Sequence, residues 1–145
     1  MPSVLTFGTF DIFHLGHLNY FKQAREIAGE GEVIVIVARD KNVKKIKGKK
    51  PLHNENERLE IVSYLKIVDK AMLGREDNVF DLVKEISPDI ILLGYDQEPS
   101  VEVLTKKLEE LKINSKIIRA KSYNPNKSKS SKIHEKIREK ILLEH

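Results

Sequence analysis

Apolar and polar positions along the chain change period repeatedly, and each change predicts an element. Ser3 to Phe7 is a short β-rich run that reads as a first strand. Leu15 to Ala28 follows at helical spacing, with Leu18, Phe21, Ala24 and Ala28 on one apolar stripe, and Gly29-Glu30-Gly31 ends it. Val33 to Ala38 is unbroken and largely β-branched, the pattern of a central parallel strand covered on both faces. The lysine-rich segment after Arg39-Asp40 has no clear period and reads as a loop with a short helical turn. Asn54 and Glu57 stand at capping-box spacing before a helix whose apolar side is Ile61, Val62 and Leu65.

Val68 to Leu73 is a third strand, and Asn78 caps a helix that turns Leu82, Val83 and Ile86 inward before Ser87-Pro88 closes it. Asp89 to Leu93 is a fourth strand, Ser100 to Leu111 a helix and Ser115 to Arg119 a fifth strand. Polar Lys121 to Lys129 then leads to a last helix in which Ile133, Ile137 and Ile141 recur every four residues.

Strands alternating with helices predict an α/β fold, a Rossmann-like doubly wound parallel sheet of five strands in one domain over residues 1–143. Leu143-Glu144-His145 matches the start of an expression tag and carries no functional weight. In such sheets ligands bind beyond the carboxyl ends of the strands, where the strand order reverses. Three segments fall at those ends: Gly8 to His17, Arg39-Asp40 and Gly94 to Gln97.

Composition narrows the chemistry. The longest apolar run, Val33 to Ala38, is far shorter than a membrane span, and no signal-peptide pattern opens the chain, so a cytoplasmic protein is expected. The absence of cysteine excludes disulfides, thiolate metal sites and a cysteine nucleophile. The net charge is +4, but residues 41–50 hold six lysines and no acid, which leaves the rest of the chain net acidic. One concentrated cluster suits a polyphosphate or small anion, and does not suit the broad basic face of a nucleic-acid binder.

The first strand runs through Gly8 into a predicted helix that opens with His14-Leu15-Gly16-His17. A helix N-terminus offers unpaired N–H groups and partial positive charge to phosphate, and imidazoles at i and i+3 project from one side of the same turn. The dinucleotide fingerprint G-x-G-x-x-G and the P-loop are both absent after this strand. Phosphate chemistry on a different motif is the expectation.

Gly8-Thr9-Phe10-Asp11-Ile12-Phe13-His14-Leu15-Gly16-His17 resembles the N-terminal signature of the cytidylyltransferase-like nucleotidyltransferases, with their H-x-G-H element. The resemblance extends through the lysine segment from Arg39 to Pro51, Asn56-Glu57-Arg58, Val68-Asp69 and Ser130-Ser131-Lys132-Ile133. Arg39-Asp40, Lys47 to Pro51 and Leu93-Gly94-Tyr95-Asp96-Gln97 are most similar to the archaeal-type FAD synthases. Glycerol-3-phosphate cytidylyltransferases usually have Gly-Asp-Asp where this chain has Gly94-Tyr95-Asp96, and an Arg-Thr-x-Gly-Ile-Ser-Thr stretch that is missing here. The cysteines common near the C-terminus of archaeal FAD synthases are also missing.

The resemblance implies transfer of AMP from ATP to FMN, giving FAD and pyrophosphate, with ready-made FMN as acceptor because the chain has no room for a riboflavin kinase module. It implies catalytic roles for His14, His17, Lys47 and Lys49, and nucleotide contacts from Thr9, Phe10, His14, Leu15, Gly16, His17, Asp96, Tyr123, Ser130 and Ser131. A divalent cation, Mg²⁺, would be held by phosphates and water, with no protein metal cage. A homodimer is also implied; no nucleic-acid or membrane partner is. The alternatives are a cytidylyltransferase that uses CTP with glycerol 3-phosphate or another phosphorylated acceptor, and a non-catalytic nucleotide-binding module.

Overall fold

A computed structural model describes residues 1–122. The elements run β1 (Val4–Gly8), α1 (Leu15–Ala28), β2 (Val33–Val37), α2 (Asp40–Lys47), α3 (Glu55–Ser63), β3 (Lys70–Leu73), α4 (Val79–Ile86), β4 (Ile90–Leu93), α5 (Val101–Glu110) and β5 (Lys116–Arg119). The five strands form one parallel sheet in the order β3-β2-β1-β4-β5, so the order reverses between β1 and β4. This is the expected doubly wound α/β architecture. The last predicted helix, and with it Tyr123, Ser130 and Ser131, lies outside the described residues.

Alternation within the strands divides the core. Val33, Val35 and Val37 pack with Phe21, Ala24 and Ala28 of α1 and Val62 of α3 on one face. Ile34 and Ile36 pack with Val83 of α4 and Leu104 and Leu108 of α5 on the other. β2 is buried throughout, as its unbroken apolar sequence requires.

Several local signals act as expected. Asn54 accepts from Glu57 N and Glu57 returns a bond from the Asn54 backbone, the capping box opening α3. Asn78 caps α4 by accepting from Phe80 N; Ser100, read in the sequence only as the first residue of its helix, is the N-cap of α5 and accepts from Val103 N.

Four expectations need correction. The segment read as a loop after Arg39 is a helix, α2, closed by Gly48 in the left-handed region. Only Val43 of α2 is buried, so its lysines mask the period that would have announced it. On α1 the buried aromatic beside Phe21 is Tyr20, while Leu18 is only half-buried. Ile61 of α3 faces solvent, and the inward positions are Arg58 and Val62. β3 starts at Lys70, because Asp69 turns its carboxylate to Arg25 and to Val33 N.

β1 and β4 pair only at Val4 with Ile90 and Leu5 with Ile91, although β1 continues to Gly8 and β4 to Leu93. Past that point the two strands part, and side chains occupy the gap. A crevice therefore opens at the switch point, on the edge of the sheet where the H-x-G-H segment leaves β1.

Candidate active site

Between β1 and α1 the chain runs Thr9 to His14 in a tight path, with Phe10 and Ile12 both in the left-handed region at φ 55° and 49°. Non-glycine residues hold that conformation only where the surroundings fix it. Phe10 is fixed by burial: its ring packs against Phe21 at 5.0 Å between centroids, Tyr20 at 6.4 Å and the edge of His17 at 5.4 Å. A Cβ on Gly8 would stand 2.9 Å from Phe10 Cζ, so glycine is what lets this ring fold back over the strand end.

His14 is the N-cap of α1. Its Nδ1 accepts from Gly16 N at 3.1 Å, and His17 Nδ1 accepts from His14 N at 3.3 Å. Two imidazoles thus stand in for the hydroxyl and carboxylate of an ordinary capping box. The rings stack with centroids 3.8 Å apart. A nitrogen that accepts carries no proton, so each neutral ring holds its single proton on Nε2. Among the described residues neither Nε2–H has a hydrogen-bond partner, and both stand at the helix N-terminus.

Electrostatics agree that both rings are neutral. Burial lowers the His17 pKa from 6.5 to about 3, aided by His14 and the Lys47 ammonium and opposed by Asp11. Burial also lowers the His14 pKa. Both rings are neutral donors near pH 7. The unfolded chain takes up a proton on His17 near pH 6.5, whereas the folded chain resists it until about pH 3. Stability from this group is therefore full above pH 6.5 and is lost on acidification, at up to ~1.4 kcal/mol per pH unit. Urea unfolding at pH 7 and pH 5 is expected to show a steeper acid loss in the native chain than in His17→Asn, and equal slopes would contradict the neutral buried ring.

The lysine helix reaches the same place. Lys47 Nζ lies 3.5 Å from Thr9 Oγ1, and Lys49 is exposed in the turn beyond Gly48. Asp11 pins the segment after that turn: Oδ2 accepts from Leu52 N at 2.7 Å and Oδ1 from His53 N at 3.0 Å. The N-termini of α2 and α3 also exchange carboxylates, Glu55 Oε1 accepting from Asp40 N and Asp40 Oδ2 from Glu55 N, both at 3.1 Å. Asp40 is thereby committed to structure. Beneath them lies Arg58, fully buried, which donates to Thr9 O at 2.8 Å, His53 O at 3.0 Å and Asp40 Oδ1 at 2.6 Å.

On the far side of the crevice, Arg119 at the end of β5 donates to Gly94 O at 2.9 Å and Gln97 O at 2.6 Å, shaping the loop after β4. Asp96 is exposed in that loop. The structure thus gathers Thr9, Phe10, His14, Leu15, Gly16, His17 and Lys47 around one helix start, with Asp96 on the facing loop. Arg58, Asp11 and Arg119 complete the frame. Sequence reading gave them no site role, although Asp11 and Arg58 stood within the recognised segments.

The cytidylyltransferase-like family matches residues 5–136. An FAD synthase of Thermoplasma acidophilum is 44% identical over 97% of this chain and 97% of its own. One from Thermococcus sibiricus is 42% identical over 92% of this chain and 90% of its own. A solved structure of a lipopolysaccharide core biosynthesis protein from Thermoplasma volcanium is 43% identical, covers 86% of this chain and 99% of its own, and superposes with a TM-score of 0.79. A pantoate-beta-alanine ligase from Francisella tularensis, 16% identical with a TM-score of 0.61 over 92% of this chain and 65% of its own, shares the fold alone. This chain therefore belongs to the cytidylyltransferase-like family, alongside relatives that carry the name FAD synthase.

Proposed function

We infer that this chain is an FAD synthase, transferring AMP from ATP to FMN with release of pyrophosphate. The choice of flavin rests on relatives of that name, 39–47% identical over most of their length. The reaction class rests on one geometric observation: both histidines spend Nδ1 on the helix cap and keep Nε2–H for a ligand.

An FMN phosphate oxygen forms its bond to the α-phosphorus as the bond to pyrophosphate breaks, in line. A phosphate monoester has its second pKa near 6, so the nucleophile is already largely dianionic at neutral pH and needs no general base. Neutral imidazoles suit this step, since their task is to donate. His14 and His17 direct Nε2–H at the α-phosphate oxygens, together with the backbone N–H of Leu15 at the start of α1, while Gly16, whose N–H caps through His14, lets the phosphate approach the turn closely. Thr9 and Phe10 line the approach. Lys47 and Lys49 balance charge on the departing pyrophosphate, and Asp96 holds the nucleoside from the opposite loop.

The residues present fit a divalent cation carried in on the triphosphate. The Asp11 carboxylate is already engaged by two backbone N–H groups, which leaves phosphate and water oxygens as the main ligands. When bound, Mg²⁺ supplies charge neutralisation on the phosphates. Tyr123, Ser130 and Ser131 belong to the same reading as nucleotide contacts.

Incubation with ATP or CTP and a panel of phosphorylated acceptors, followed by pyrophosphate and FAD assays, tests this. FAD from ATP plus FMN is expected. Turnover only with CTP, or only with a sugar phosphate, would replace the reading with another transfer on the same site.

A further inference from the structure

The gap between β1 and β4 is filled by two side chains that take over the missing ladder. The Tyr20 hydroxyl accepts from Phe7 N at 3.4 Å and donates to Leu92 O. Burial raises the Tyr20 pKa, so the phenol stays protonated and able to donate. One step nearer the ligand edge, Gln97 Nε2 donates to Phe7 O at 2.9 Å while Gln97 Oε1 accepts from Gly94 N at 3.0 Å. The partners fix the orientation of this carboxamide, because an N–H must meet oxygen and a carbonyl must meet NH₂.

Gln97 therefore ties the two walls of the crevice together. Phe7 O is the last carbonyl before Gly8-Thr9, and Gly94 N opens the loop that carries Asp96. The Gln97 backbone is held in turn, its N–H donating to Gly94 O at 3.1 Å and its carbonyl accepting from Arg119. A Cβ added at Gly94 would stand 3.4 Å from Gln97 Oε1, so the carboxamide lies directly over this glycine.

We propose that Gln97 is a positioning residue for the nucleoside triphosphate: its carboxamide sets the width of the β1–β4 crevice and so the reach from the α-phosphate contacts on α1 to the nucleoside contacts on the Gly94–Asp96 loop. It acts through backbone, touching neither reacting atom. The proposal deepens the FAD-synthase reading and rests on it for its kinetic readout. Thr9 is held separately by Lys47 of α2 and Arg58 of α3, and Asp11 by Leu52 N and His53 N, so loss of the Gln97 bonds acts on the Gly94–Asp96 loop.

Two variants test it. Gln97→Ala removes donor and acceptor; Gln97→Glu keeps an acceptor for Gly94 N and removes the donor to Phe7 O. ATP binding is measured by calorimetry with ATP alone, and KM for ATP and FMN by FAD formation. Gln97→Glu is expected to weaken ATP binding about fivefold to tenfold, the worth of one hydrogen bond, and Gln97→Ala at least as much. KM for FMN is expected to stay unchanged, and the melting temperature to fall by no more than about 5 °C for the part-buried bonds lost. Unchanged ATP binding overturns the proposal, as does an equal rise in both KM values with a larger fall in melting temperature, which marks general loosening. If the native chain binds ATP but makes no FAD, the flavin reading fails while calorimetry still decides the role of Gln97.

Discussion

His17→Asn is expected to fold and bind ATP while losing on the order of 10²–10³ in kcat for FAD formation, the usual cost of one transition-state hydrogen-bond donor. Asparagine separates two functions of the native ring. Its side-chain oxygen can still accept from His14 N, as Nδ1 does at 3.3 Å, so the cap of α1 survives. It has no group at the position of Nε2. The packing of His17 against Phe10 and Phe13, at 5.4 and 5.3 Å between centroids, is reduced, so a small stability loss accompanies the change. His17→Ala removes cap and donor together and should lose more stability for a similar loss of turnover. The comparison reads chemistry apart from folding. Stopped pyrophosphate release at saturating ATP and FMN, alongside thermal melting, provides the check. Near-native turnover by His17→Asn would remove the donor role assigned to this residue.

The elements that sequence reveals here are those whose cause is local. The unbroken apolar run Val33–Val37 and the caps at Asn54 and Asn78 need only neighbouring residues, and each appears where expected. Histidines at i and i+3 were legible as a pair for the same reason. Their tautomer and neutrality were not, because these follow from the cap bonds and from burial under Phe10 and Phe13. α2 escaped notice because it has one buried side chain, and its start is secured by Glu55, fifteen residues away. Gln97 reads as a polar loop residue until β1 and β4 are seen to part, since Phe7 is ninety residues distant. A buried arginine is legible least of all. Its sequence neighbours Glu57 and Glu60 are exposed, and nothing local announces three acceptors drawn from Thr9, Asp40 and His53.

Arg58→Met is the second large effect, and it strikes stability first. The side chain is fully buried, and its ion pair with Asp40 is its one charged contact among the described residues. Methionine fills much of the volume, so the change isolates charge and hydrogen bonding from cavity formation. The Asp40 carboxylate, one quarter exposed, then keeps its bond from Glu55 N but loses its cation, while the carbonyls of Thr9 and His53 lose their donor. Breaking a buried pair from one side costs ~3–5 kcal/mol, which for a chain of this size is a fall of roughly 10 °C in melting temperature. Asp40→Asn in the Arg58→Met background should recover part of that loss, since the uncompensated charge goes with it, and a double-mutant cycle then gives a non-additive coupling. Turnover should fall as well, because Arg58 holds the Thr9 carbonyl immediately before the left-handed Phe10 and so sets the path into His14. Denaturant melts of the four chains decide the matter: a loss under about 1 kcal/mol for Arg58→Met, or strict additivity with Asp40→Asn, would mean that the pair does not anchor the lysine helix and the histidine loop to each other.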